Sequence, residues 1–69
     1  MPEEEKTALY DRAMKKGENL MPYDVAKIMG KRRIKKYGWE ESAKVICEIM
    51  ERCGFWCDMQ FAAYAITMI

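Results

Sequence analysis

Apolar residues recur along this chain at helical spacing, in stretches separated by isolated glycines. Leu9 and Ala13 stand four apart, as do Tyr10 and Met14, so they line one side of a helix predicted over residues 3 to 16. Pro2 followed by Glu3, Glu4 and Glu5 opens it. Proline suits the first turn, and acids there meet the positive end of the helix dipole. Lys15 and Lys16 sit at the negative end, and Gly17 stops the helix.

After a short connection, Pro22 restarts the chain and Asp24 falls in a new first turn. Val25, Ala26, Ile28 and Met29 give this second helix an apolar side, and Gly30 ends it. Residues 31 to 36 hold a single apolar residue, Ile34, which pins a short exposed helix or turn closed by Gly38. A longer helix then starts near Trp39 or Glu40 and runs to Cys53, with Val45, Ile46, Ile49, Met50 and Cys53 at helical spacing. Gly54 ends it. In the tail, Asp58 caps a helix predicted over Met59 to Ile69. The alternative is a strand over the last five residues, which Tyr64, Ile66 and Thr67 favour. Such a strand would find no partner in this chain, so helix is the expectation. The tail helix is expected to bury Phe61 and Ile66 and to leave Trp56 or Tyr64 for an interface.

These elements predict an all-α fold, a compact bundle of three to five short helices forming a single domain over residues 1–69. A domain of 69 residues buries only about 60% of the surface its unfolded chain exposes, so its stability is modest. The chain is 51% hydrophobic and 33% charged, which excludes a disordered polymer. The acidic start is unlike a signal peptide. The apolar tail from Phe55 to Ile69 is shorter than the roughly 20 residues a spanning helix needs. A soluble cytoplasmic protein with no membrane contact is therefore expected.

Catalytic chemistry finds little support. Histidine, the commonest general base, is absent. Ser42, the only serine, has no base beside it in sequence. Cys47, Cys53 and Cys57 are an odd number, unsuited to a closed disulfide framework, and read as reduced, small core residues. Glu48, Glu51 and Asp58 beside them oppose thiolate formation. Three cysteines without histidine also fall short of a four-ligand zinc site. The four glycines are isolated, so no phosphate loop exists. No catalytic residue, metal or cofactor is predicted, and the chain is read as a binding protein.

Charge distribution is more telling than the net charge of +1. Half of the twelve basic residues fall between positions 27 and 36: Lys27, Lys31, Arg32, Arg33, Lys35 and Lys36. Such a cluster suits an anionic partner, either a nucleic acid or an acidic protein surface. Tyr37 and Trp39 follow at once and could stack on bases or anchor a protein interface. Trp56 and Tyr64 are the corresponding interface candidates in the tail.

The run from Pro22 to Gly30 resembles the first helix and turn of a helix-turn-helix, with Ala26 and Gly30 at the motif's small-residue and glycine places. The resemblance implies that Arg32, Arg33, Lys35 and Lys36 lie on or near a DNA-facing helix. It departs from the motif at Lys31 and Lys36, where apolar residues belong, and at Gly38, which cuts the second helix short.

Two functional classes follow. The first is a small regulator or inhibitor that occludes a protein partner, for instance a nucleic-acid-handling machine. In type of build it resembles small helical phage and mobile-element proteins. A homodimer formed through residues 55–69 belongs to the same class. The second is direct DNA or RNA binding through residues 27–36. The near-zero net charge and the broken motif place the first ahead.

Overall fold

The computed structural model describes all residues from Met1 to Ile69. It contains five helices and no strand: α1 (Glu3–Lys16), α2 (Pro22–Met29), α3 (Lys31–Tyr37), α4 (Trp39–Arg52) and α5 (Met59–Thr67). The predicted bundle, its helix order and the tail helix are all present. No helix is long and apolar enough to cross a membrane.

Local chemistry explains the ends. The Pro2 carbonyl accepts from the amides of Glu5 and Lys6, both at 3.1 Å, and starts α1. Asp24 reaches back to accept from the Met21 amide at 2.8 Å, satisfying a donor that the opening of α2 would otherwise leave free. Asp58 accepts from the Phe61 amide at 3.0 Å and caps α5 as its sequence position predicts.

The middle of the chain is joined by single residues. Gly30 alone separates α2 from α3, and Gly38 alone separates α3 from α4. Their backbone angles are nearly the same, φ 84°, ψ 153° at Gly30 and φ 86°, ψ 161° at Gly38. That region is essentially closed to residues with a Cβ. The first joint also corrects the helix-turn-helix resemblance, because that motif joins its helices through a turn of three to four residues.

α2 and α4 form the centre, and each touches the other and all three remaining helices. Val25, Ala26 and Met29 of α2 meet Ala43, Val45, Ile46, Ile49 and Met50 of α4 in one core. Leu9 and Ala13 enter it from α1, Ile34 from α3, and Ala62 and Ala65 from α5. The molecule measures 26 × 25 × 15 Å. Its short axis is little more than one helix diameter of about 10 Å, so only 16 residues are buried.

The tail helix turns differently from the expectation. Ala62 and Ala65 face the core, with Ile66 and Ile69 packed beside them, while Phe61 is 54% exposed. Two alanines let the α5 backbone lie close against its neighbours. The large residues at 61, 64 and 68, on the flank of the helix next to Ala65, are then left more than half exposed. Ile66 keeps its expected place against the core; Phe61 does not.

Candidate functional site

The exposed side of α5 is one wall of an apolar groove. Leu20, Met50 and Ala65 form its floor, and all three are buried. Phe61 and Tyr64 of α5, and Met68 at its C-terminal cap, rise on one side. Met21, Pro22 and Tyr23 stand at the opening of α2, and Phe55 and Trp56 come from the α4–α5 linker. The groove holds about 450 Å³. No charged side chain lines it.

Physical constraints on several segments assemble this wall. Gly54, at φ 87°, turns the chain out of α4, and the Phe55 amide donates to the Met50 carbonyl at 2.9 Å. Cys57 is buried and anchors the far end of the linker. Trp56 between these two points is held outward, 72% exposed. Its ring meets that of Phe61 edge to face, with centroids 5.5 Å apart, a favourable aromatic geometry. Lys27 sits over the Tyr23 ring at 5.1 Å and brings a positive charge near the groove without lining it.

Of the four aromatic residues singled out in the sequence, Trp56 and Tyr64 line this groove, whereas Tyr37 and Trp39 flank the α3–α4 joint. Trp39 is exposed at the start of α4. Tyr37 is half-buried and donates its hydroxyl to Oε1 of Glu5 at 2.6 Å. Met21, Tyr23, Phe61 and Met68 escaped the sequence reading as site residues. Their signal was weak: Met21 and Tyr23 flank a proline some forty positions from the tail.

The basic segment divides. Lys27 is exposed on α2, and Lys31, Arg32, Lys35 and Lys36 are exposed on α3. Arg33 instead turns inward to Glu5, and its guanidinium also donates to the Met29 carbonyl at 3.1 Å. The fold adds residues that the 27–36 window does not contain. Arg12, Lys15 and Lys16 of α1 share a surface cleft with Lys27. Their spacing on one face of α1 was legible in the sequence; their meeting with Lys27 was not. Asp24 offsets part of this charge by pairing with Lys16 at 3.1 Å. Lys31 and Lys35 border a separate cleft beside Ile66 and Ile69 of the tail.

Ser42 and the three cysteines lie in or against the core. Ser42 is wholly buried in α4, and its Oγ has no hydrogen-bond partner. Burial pushes the Cys57 thiol up to about 12, with the neighbouring Cys47 adding to the shift. Burial also raises Cys53, against the pull of Arg52. A thiol with a raised pKa is less often present as the reactive thiolate at neutral pH. No three Cys, Asp or Glu side chains converge as a metal site would require.

Compared with protein-family models, curated proteins and solved structures, the chain finds no match.

Proposed function

We propose that this protein is a non-enzymatic binding module, a small regulator that works by seating an apolar helix of a protein partner in the α2–α5 groove and so occluding it. One observation carries the reading: Met21, Tyr23, Trp56, Phe61, Tyr64 and Met68 are all exposed, and all surround one groove. Leaving so much apolar surface in water is unfavourable, and contiguous patches of this kind mark interaction sites. Aromatic rings supply contact area at small entropic cost, and methionines adapt to an irregular partner. A lining without charge selects an occupant with an apolar contact face, as in helix-in-groove recognition.

The test uses affinity capture from native host extract with the wild type and a Trp56→Ser/Tyr64→Ser variant. A partner held by the wild type and lost by the groove variant supports the reading. Equal capture by both overturns it. In a Trp39→Phe background the emission of Trp56 should shift to the blue on binding, which reports occupancy at the groove itself. Concentration-dependent sedimentation of the isolated chain, abolished by the same double substitution, would identify a second copy as the occupant.

A second reading rests on the basic face. Arg12, Lys15 and Lys27 are grouped by the fold, and none of them has an acidic partner within salt-bridge distance. Lys31, Arg32, Lys35 and Lys36 extend the supply of unpaired cations along α3. This arrangement fits the phosphates of a nucleic acid or an acidic protein. Anisotropy titrations with labelled duplex and single strands should then show binding that weakens steeply with salt. Absence of binding at low salt would remove this reading and leave the groove untouched.

A further inference from the structure

We propose that Cys47 and Cys57 are a redox pair that closes into an intramolecular disulfide when the protein meets a low-molecular-weight disulfide such as oxidised glutathione. The inference stands apart from the groove and the basic face. It rests on placement. Cys47 lies on α4 and Cys57 in the linker before α5, yet their Sγ atoms are 3.1 Å apart. Two sulfur atoms at that separation are inside van der Waals contact. Bond formation at about 2.05 Å requires an approach of about 1 Å.

The surroundings favour closure over other fates. The linker backbone at Trp56 and Cys57 donates no backbone hydrogen bond to the rest of the chain. The position of Cys57 depends on its buried side chain and on the Asp58 cap one residue later. This stretch can therefore make the small movement without breaking a helix ladder. Cys47 is half-buried and reaches solvent, whereas Cys57 is 7% exposed. A small disulfide therefore meets Cys47 first.

The exchange balances with that reagent alone. Cys47 loses its proton to solvent and its thiolate attacks one sulfur of oxidised glutathione, forming a mixed disulfide and releasing one glutathione thiolate, which takes up a proton. Cys57 then loses its proton to solvent, and its thiolate attacks the Cys47 sulfur. The Cys47–Cys57 bond forms as the second glutathione leaves and takes up a proton. Two protein thiols are oxidised, and one glutathione disulfide is reduced to two thiols. The second step is slow at neutral pH, since burial holds the Cys57 thiol up. In a reducing compartment the pair remains open.

Cys53 supplies the internal control, because it lies on the same stretch of chain and its thiol makes no hydrogen bond to either partner. Full-length protein is exposed to oxidised glutathione at increasing pH, quenched with acid and read by intact mass and peptide mapping. The expected product is a monomer lighter by two hydrogen atoms, carrying no glutathione, with 47 linked to 57. Its formation should quicken as pH rises, and a Cys53→Ala variant should close at the same rate. Cys47→Ser, whose folding is checked by circular dichroism, should yield no internal link. Persistent free thiols, a stable glutathione adduct at Cys47, or a link through Cys53 would each overturn the proposal.

Discussion

Arg33 donates from its Nε to Oε2 of Glu5 at 2.5 Å, tying the basic helix α3 to the acidic opening of α1. Tyr37 completes the grip through Oε1 of the same carboxylate. The Glu5 side chain is only 25% exposed and the Arg33 side chain 30%, so both are partly shielded from water. Two of the residues that the sequence marks as binding candidates thus hold the fold together.

The pair makes stability depend on acid. The Tyr37 hydrogen bond, then the Arg33 guanidinium, hold the Glu5 carboxyl below its ordinary value, against the opposing effect of burial. A carboxyl lowered by folding contributes stability that is present above the ordinary glutamate range and lost as pH falls through the folded value. Glu5→Gln should therefore lower Tm at neutral pH and flatten the acid limb of a Tm-against-pH profile. Tyr37 moves the opposite way, raised first by its bond to Glu5. Its contribution is present below the ordinary tyrosine range and lost as pH climbs through the raised value, so Tyr37→Phe should flatten the alkaline limb.

Groove and core substitutions should separate binding from stability. Trp56 and Tyr64 are 72% and 67% exposed, so Trp56→Ala and Tyr64→Ala should change unfolding free energy by about 0.5 kcal/mol or less. Ile46 has no exposed surface, and Ile46→Ala should cost about 2–5 kcal/mol. A domain of 69 residues has roughly 3–10 kcal/mol in total, so that variant should be partly unfolded at room temperature. Urea denaturation followed by circular dichroism measures both.

At Gly30 and Gly38 nothing lies close enough to obstruct an added Cβ, so the cost of a side chain is conformational alone. Gly30→Ala and Gly38→Ala should each destabilise by about 1–3 kcal/mol. A D-alanine introduced by chemical synthesis at either position should be tolerated, because it favours positive φ. Equal loss with both enantiomers would show that packing, not backbone angle, sets the requirement.

The hydroxyl of Ser42 is buried without a partner, so its removal should help. Ser42→Ala discards an unsatisfied polar atom and improves helix propensity, and should raise stability by about 1 kcal/mol in the same urea assay. A loss of stability would point to a bond that the hydroxyl makes in solution.

The helices follow from local signals along the chain. Pro2, Pro22 and Asp58 begin three of them, Gly17, Gly30, Gly38 and Gly54 punctuate the chain, and the three- and four-residue apolar spacing marks the buried sides of α1, α2 and α4. These signals are local, so they survive being read one turn at a time. Tertiary structure decided which side of α5 faces the core. Phe61 and Ala62 are adjacent and both apolar, and only close packing against α2 and α4 selects the smaller one. It also decided the charges and the thiols. Arg33 and Tyr37 become structural because Glu5 lies 28 and 32 residues away in sequence but within hydrogen-bond reach in space. Lys27 meets α1, and Cys47 meets Cys57, for the same reason. Pairings of this kind depend on how helices stack, and helical periodicity carries no record of that.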